Sequence, residues 1–204
     1  MTMRSLVRTC LAAVLAFVVL SCNDGTAPDT DTRPASELTF LRPAPGAPQF
    51  ADTTVQFYAK RGEDREIRIR YAVAGDLEEF VRFRVRPEAL VAYPDGRPIA
   101  VGDSVLITLR IVDFARLIVE FQPTGLRFST ERPAELKFKY NHTSRDLDGD
   151  GDVDADDARA ETLLAIWRQE APGQPWVRLS SSIEFDIDEI EAEITTFSGY
   201  ALAY

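Results

Sequence analysis

Histidine and cysteine, which often act as catalytic bases, nucleophiles and metal ligands, are nearly absent from this sequence. Its 204 residues include one histidine, His142, and two cysteines, Cys10 and Cys22. A catalytic nucleophile needs a base beside it, and many phosphate sites need a glycine-rich loop. Neither pattern is present, so nothing in the sequence supports a hydrolase of these kinds. A glycosidase-like pair of carboxylates stays open, because 33 residues are acidic.

Positive charge is also scarce. The chain has 23 basic and 33 acidic residues, which gives a formal net charge of −10 at pH 7. Proteins that bind nucleic acids or anionic surfaces usually present clusters of basic residues to the phosphates. The excess of negative charge therefore argues against nucleic acid as a partner.

The apolar run at the N-terminus, residues 11–20, is too short for a comfortable membrane span. It follows Arg4 and Arg8, and this order is typical of a secretory signal peptide. The run ends in Val19-Leu20-Ser21-Cys22, which resembles the lipobox of bacterial lipoproteins.

The lipobox resemblance implies a signal peptide over residues 1–21, cleavage before Cys22 and lipid attachment to Cys22. The lipid would anchor the protein to a membrane. An ordinary secretory signal with an incidental cysteine is the alternative. Asn23 stands where an Asp would resemble an inner-membrane retention signal, so the outer membrane of a cell envelope is favoured. Cys10 would leave with the signal peptide, and no thiol would remain for a disulfide.

The rest of the chain is predicted to be all-β, a β-sandwich of short antiparallel strands over residues 37–204. Residues 22–36, rich in Asp, Thr, Pro and Ala, are expected to form a disordered tether. Beyond them, apolar and polar residues alternate, which is typical of a sheet with one solvated face, and Pro- and Gly-containing turns separate the segments. The alternating segments are residues 55–58, 67–71, 81–86, 105–111, 117–122 and 136–140.

One loop stands apart from the strand pattern, because residues 146–157 have the spacing of a calcium loop. Gly151 lies where such a loop turns sharply, and Val153 lies where an apolar residue anchors it to a core. Asp rather than Glu at the last position resembles dockerin-type loops. A solvated acidic loop is the alternative, although its carboxylates would repel each other without a cation. The predicted calcium ligands are Asp146, Asp148, Asp150, Asp152 through its carbonyl group, Asp154 through water, and Asp157.

The segments around this loop predict half an EF-hand inserted between two strands. Asp154 is a suitable N-cap for a short helix over residues 155–161. Strands are predicted before the loop, at residues 135–140, and after it, at residues 164–169.

Three groups of side chains allow both a structural and a functional interpretation. Arg82, Arg84 and Arg86 are expected to lie on the solvated face of a strand rather than to form a ligand patch. We expect Trp167 and Trp176 to pack across a hairpin, with a sugar-stacking platform as the alternative. His142 is interpreted as a loop residue and not as a ligand.

Four segments in order resemble a ZU-five-type domain, the β-domain shared by netrin receptors, ankyrins and bacterial surface proteins. They lie at residues 83–90, 119–129, 166–179 and 194–202, within residues 80–204. Some relatives cleave themselves within a His-Phe-Ser triplet, for which this chain has Thr196-Phe197-Ser198. A serine without a base beside it is a poor nucleophile, so we expect no self-cleavage and no catalytic residues.

Together these patterns predict a non-catalytic, calcium-binding lipoprotein of the cell envelope that serves in surface interaction or scaffolding. Its partner would be another envelope protein or a glycan. A dockerin-like assembly module and an autoprocessing or hydrolytic envelope protein are the alternatives. Dockerins use a pair of loops, and one such loop is found in this sequence.

Overall fold

The computed structural model describes residues 31–204, and these form an all-β sandwich, as the sequence predicted. No helix in this range is long and apolar enough to cross a membrane. One α-helix, α1, spans Ala155–Glu161, and short 3-10 helices span Ala35–Glu37 and Phe185–Ile187. The strands are β1 (Thr32–Arg33), β2 (Thr54–Lys60), β3 (Arg65–Val73), β4 (Asp76–Val85), β5 (Leu90–Ala92), β6 (Ser104–Asp113), β7 (Ile118–Gln122), β8 (Arg127–Phe128), β9 (Ala134–Lys139), β10 (Ala165–Gln169), β11 (Trp176–Arg178), β12 (Ser181–Glu184), β13 (Glu189–Ile194) and β14 (Gly199–Ala203).

Two antiparallel sheets form the layers of the sandwich. The larger sheet has seven strands in the order β1-β11-β10-β14-β7-β6-β2, and the smaller has five in the order β12-β13-β9-β4-β3. A separate pair, β5 and β8, lies beside them. Because β9 belongs to the five-stranded sheet and β10 to the seven-stranded sheet, the connection between them passes from one layer to the other.

Alternation along the strands places the core between the sheets. In β6, Val105, Ile107 and Leu109 are buried, whereas Leu106 is exposed. Aromatic rings fill the centre of this core, and Phe121 stacks on Phe197 with ring centroids 4.8 Å apart. Burial of apolar surface of this kind is the main favourable term in folding.

The outer face of the five-stranded sheet is covered by ion pairs. Arg84 binds Asp64 at 2.6 Å and Arg86 binds Glu135 at 3.1 Å. Arg82 lies 3.7 Å from Glu79. The arginine row is therefore a paired, partly solvated strand face, as expected from the sequence.

A second, smaller apolar cluster lies on the other face of the seven-stranded sheet. Residues 34–41, which we call the strap, lead from β1 to the end of β14, where Leu41 N–H donates to Leu202 O at 3.0 Å. Leu38 and Phe40 of the strap pack with Trp167 and Trp176.

Strand β1 corrects one prediction from the sequence. The tether was expected to reach residue 36, but Thr32 and Arg33 pair with Val177 and Trp176 of β11. Backbone pairing of this kind needs no apolar period, so composition could not reveal it. The predicted signal peptide, Cys22 and the tether up to residue 30 lie outside the described residues.

Candidate metal centre

The acidic loop lies in the connection between β9 and β10, as predicted, and hydrogen bonds tie its base to the rest of the domain. Ser144 N–H donates to Arg42 O at 2.9 Å. Tyr204 Oη donates to Leu147 O at 2.6 Å, which joins the loop to the C-terminus. The loop is therefore attached both to the segment that follows the strap and to the C-terminal residue.

Helix α1 begins at the predicted residue because Asp154 caps it. Asp154 Oδ1 accepts the N–H of Asp156 at 2.7 Å. The Asp154 side chain also accepts the N–H of Asp157, and Asp157 Oδ2 accepts the N–H of Asp154 at 2.8 Å, so Asp154 and Asp157 form a reciprocal capping box. This cap fixes the carboxylates of Asp154 and Asp157 at the end of the loop.

Asp157 connects the two ends of the loop. Its side chain is buried, with the residue 3% exposed. Its Oδ1 accepts the N–H groups of Leu147 at 2.6 Å and of Asp148 at 3.3 Å, while Oδ2 binds Asp154. The N–H groups of Asp154 and Leu147 hold the pKa of Asp157 below its usual value, so the carboxylate is ionised and available to a cation.

The carboxylates converge in two groups that share Asp157. One group consists of Asp146, Asp148 and Asp157, and the other of Asp152, Asp154 and Asp157. Within each group, one oxygen from each residue lies within 4.8 Å of the others. This acidic group could hold a metal ion, since it offers oxygen atoms alone and hard cations prefer such ligands.

Glycine allows the loop to curl around the space between these oxygens. Gly149 and Gly151 have φ angles of 81° and 102°, which L side chains rarely adopt. Their N–H groups donate to the two carboxylate oxygens of Asp146, at 2.7 Å and 3.2 Å. The sharp turn predicted at Gly151 is therefore present.

Repulsion between the carboxylates affects the pKa of Asp148. The N–H of Asp150 lowers the pKa of Asp148, but desolvation and the charges of Asp150, Asp157 and Asp146 outweigh it. The net effect raises the pKa of Asp148 above its usual value. A bound cation would relieve this repulsion.

Three details of the loop differ from the sequence prediction. Asp150 belongs to neither carboxylate group, and its Oδ1 accepts the N–H of Asp152 at 3.1 Å. Asp152 offers its side chain to the second group, whereas only its carbonyl oxygen was predicted to bind. Val153, the predicted core anchor, is 66% exposed. Leu147 packs against the core instead, because the hydrogen bond from Tyr204 holds its backbone there.

The two tryptophans do not form a sugar-stacking platform, because each is 1% exposed. Trp167 Nε1 donates to Ala203 O at 2.9 Å, and the Trp176 ring lies 5.2 Å from that of Phe40. Their packing around the β10–β11 hairpin agrees with the preferred prediction.

His142 lies in the turn that leads from β9 to the loop. Its Nε2 is 2.8 Å from Glu78 Oε2, and its ring packs edge-on against Tyr71 at 4.7 Å. It belongs to neither of the two carboxylate groups.

The triplet that matches the self-cleaving relatives lies just before β14. Phe197 is fully buried and Ser198 is 2% exposed. The carbonyl oxygen of Phe197 accepts the N–H of Gly125 at 3.3 Å. Phe197 and Ser198 therefore lie inside the sandwich, and Thr196 is partly buried.

Comparisons of the chain with models of protein families, with curated proteins and with solved structures give no match.

Proposed function

We propose that the protein is a non-catalytic, calcium-binding β-sandwich domain of a lipid-anchored envelope protein. The observation that carries the calcium assignment is the position of Asp157, whose buried carboxylate belongs to both acidic groups. The lipid anchor on Cys22 rests on the lipobox resemblance alone.

Calcium suits this site better than other common ions. It takes six to eight oxygen ligands in flexible geometry, whereas zinc and copper favour nitrogen and sulfur ligands. Magnesium demands near-ideal octahedral geometry and keeps several waters. A loop with many carboxylates and no nitrogen or sulfur ligand within the acidic groups matches calcium.

The position of the loop supports a structural role for the ion. The loop joins β9 of one sheet to β10 of the other, and its base is bonded to Arg42 and Tyr204. An ion that draws both ends of the loop toward Asp157 would stabilise this passage between layers. The domain would then present a defined surface to an envelope protein or glycan.

The calcium proposal is tested by thermal unfolding in calcium and in chelator. Extracellular calcium sites have dissociation constants of about 10⁻⁴ to 10⁻³ M. At about 1 mM calcium, linkage then gives roughly 0.4 to 1.4 kcal/mol, or a melting shift of a few degrees. Asp148→Ala should remove most of this shift, because it deletes a ligand oxygen, while Asp186→Ala, at an exposed acid outside the loop, should keep it.

An equal shift in the wild type and in Asp148→Ala would refute the site, because the ion would then bind elsewhere. A wild type whose melting temperature does not respond to calcium would refute it as well. If magnesium raised the melting temperature as much as calcium does, the metal site would stand but the assignment of calcium would be wrong.

The anchor is tested in cells by labelling with a radioactive fatty acid and by fractionation. Cys22→Ser should lose the label and leave the membrane fraction, since attached acyl chains contribute about 0.8 kcal/mol per buried methylene. A wild-type protein that carries no label and dissolves without detergent would contradict the anchor.

The partner is identified by pull-down from the native envelope, carried out once with calcium and once with chelator.

A further inference from the structure

Strand β2 forms one edge of the seven-stranded sheet, and no strand within residues 31–204 pairs with its outer side. Its inner side pairs with β6, from Thr54 opposite Arg110 to Lys60 opposite Ser104. An open edge of this kind offers a row of backbone N–H and C=O groups to a further strand. The seven residues of β2 are enough for such pairing, because strands usually have about five or six.

The backbone groups at this edge belong to the even-numbered residues of β2. Ile111 N–H donates to Thr53 O at 2.9 Å, and Arg61 N–H donates to Asp103 O at 3.0 Å, so the odd-numbered residues bond to the β6 side. In an antiparallel ladder, the residues between them point their N–H and C=O groups to the opposite side. Thr54, Gln56 and Tyr58 therefore present these groups at the open edge.

The other edges of the two layers are protected in ways that β2 is not. Strand β1 has two residues and β12 has four. Strand β3 carries four charged side chains, and residues 49–51 cover part of it, with Ala51 N–H donating to Arg70 O at 2.8 Å. Short strands, charges and covering segments are the usual means by which proteins prevent edge pairing. From Thr54 to Ala59, β2 has neither a charged residue nor a proline, so it is the edge best suited to pairing.

The side chains of β2 leave apolar surface beside this edge. Tyr58 is 65% exposed and lies opposite Leu106 of β6, which is 43% exposed. Val55 and Phe57 pack against the core but are only partly buried. A strand added beside β2 would cover part of this surface, and burial of apolar surface favours association.

The charges at the ends of β2 favour a second copy of this chain as the partner. In an antiparallel pair around a two-fold axis, the same residue of both copies meets at the axis. If Gln56 lies there, Tyr58 of each copy faces Thr54 of the other. Beyond them, Lys60 faces Asp52, and this pair of opposite charges occurs twice. Moving the axis by one residue in either direction loses both charge pairs, so the charges select this register.

Both charged groups are accessible to a second copy. Asp52 is exposed and forms no ion pair within residues 31–204. Lys60 binds Glu63 of its own chain at 2.7 Å, but its side chain is 41% exposed and its ammonium group has three donors. Lys60 can therefore bind Asp52 of the second copy without releasing Glu63.

We propose that the protein forms a two-fold symmetric dimer in which the β2 strands of two copies pair antiparallel, with Gln56 at the axis. The seven-stranded sheets of the two copies then form one continuous sheet. The described chain begins beside β1, at the opposite edge of this sheet, and so lies away from the interface. The dimer depends neither on the proposed calcium ion nor on the proposed lipid.

The register is tested by disulfide trapping of the full chain under a mild oxidant. Gln56→Cys brings two thiols to the axis, where directly opposite Cα atoms are about 5.5 Å apart, a distance that a disulfide can span. Thr54→Cys is the matched control, because its two copies would lie about 14 Å apart. Gln56→Cys should give a covalent dimer that is absent from Thr54→Cys and from the wild type. A mixture of Thr54→Cys and Tyr58→Cys should give it again, because these positions face each other.

Two further variants weaken the pairing without changing the core, and sedimentation equilibrium measures their dissociation constants. Gln56→Pro removes the N–H at the axis from both copies, and proline is tolerated at such an edge. It should weaken the dimer about 5- to 150-fold, the range of two net hydrogen bonds. Gln56→Lys places like charges opposite each other and should weaken it about 1.5- to 5-fold.

Thr108→Lys is the matched control for these variants. Thr108 lies opposite Gln56 on β6 and accepts its side-chain amide at 2.9 Å, so this substitution breaks the same contact. Because β6 lies one strand further from the axis, the dissociation constant should stay close to that of the wild type. Circular dichroism checks that each variant is folded, and Gln56→Lys decides the question if Gln56→Pro does not fold.

Several results would overturn the proposal. One is a Gln56→Cys chain that yields no covalent dimer, whether the edge is open or is occupied by a strand of another protein. Equal trapping of Gln56→Cys and Thr54→Cys would show random collision and not a fixed register. A dimer that Gln56→Lys weakens no more than Thr108→Lys does would use another surface. Assembly into polymers would contradict the closed two-fold pairing.

Discussion

At the scale of single residues, Asp157 decides the geometry of the candidate metal centre. Its carboxylate accepts N–H groups from both ends of the loop and belongs to both acidic groups. Asp148 has the opposite character, because neighbouring carboxylates raise its pKa. Asp157 therefore stabilises the loop without metal, whereas Asp148 stabilises it only when a cation is bound.

This contrast predicts opposite effects of two substitutions in chelator. Asp157→Asn should lower the urea midpoint of unfolding, because the neutral amide is a weaker acceptor and its nitrogen cannot accept at all. Asp148→Asn should leave the midpoint unchanged or raise it, since it removes repulsion. Urea unfolding followed by circular dichroism measures both. If Asp157→Asn were neutral in chelator, its hydrogen bonds would not hold the loop.

Ser198 leads to a second prediction at this scale, that the chain stays intact between Phe197 and Ser198. Both residues are buried, and Phe197 packs among aromatic rings of the core. His142 is engaged by Glu78 at 2.8 Å and packs on Tyr71. Intact mass spectrometry of the denatured protein should show one species. A fragment that ends at Phe197 and disappears in Ser198→Ala would contradict this prediction.

At the scale of elements, the outer face of the five-stranded sheet is held by charge pairs across strands. Lys137 of β9 lies 2.9 Å from Glu189 and 2.6 Å from Glu191, both on β13. Desolvation raises the pKa of Glu189, but the hydrogen bond from Lys137 and the charges of Lys137 and Lys139 outweigh it, and the net pKa is lowered. Polar residues thereby support strand pairing on a face that alternation leaves outside the core.

The lowered pKa of Glu189 predicts a pH dependence. A carboxyl group whose pKa is lower in the folded state stabilises the fold above its unfolded pKa and loses this effect as pH falls. Glu189→Gln should therefore cost roughly 1 kcal/mol at neutral pH, with the difference from wild type shrinking below about pH 5. Denaturant unfolding across pH measures this difference. Glu191→Gln, at the more exposed partner, should cost less, and a pH-independent difference would exclude the ionic explanation.

At the scale of the whole molecule, the strap joins the first strand to the last. It passes from β1, which pairs with β11, to the end of β14, where Thr39 N–H donates to Tyr204 O at 3.1 Å. Phe40 packs on Trp176 in the second apolar cluster. Tyr204 in turn bonds to Leu147 of the acidic loop, so the strap, the C-terminus and the loop form one connected region.

This arrangement predicts that Phe40→Ala destabilises the whole domain. Loss of a buried Phe side chain costs about 3 to 5 kcal/mol. Denaturant unfolding should show this loss, and the tryptophan emission of the folded variant should move to longer wavelength as Trp176 gains water. Phe185→Ala, at a residue 49% exposed, is the matched control and should change little. If the Phe40→Ala domain were as stable as the control, the packing of the strap on the sheet would contribute little to the free energy of unfolding.

Much of this fold follows from local patterns in the sequence. Alternation predicted β6, β7 and β9, since a sheet with one buried face repeats every second residue. Asp154 predicted the start of α1, because a helix cap acts on the next few residues. The spacing of acids and glycines predicted a loop that gathers carboxylates, because a single short segment supplies all of them.

The remaining features depend on residues that are distant in the sequence, and only the tertiary structure decided them. Leu147 rather than Val153 anchors the loop because Tyr204, at the other end of the chain, binds its backbone. Residues 32 and 33 were assigned to the tether because their pairing partners lie on β11, far along the chain. The contacts of the Phe50 ring with Tyr71 and Phe114 have no local signature, because these residues come together only when the two sheets pack.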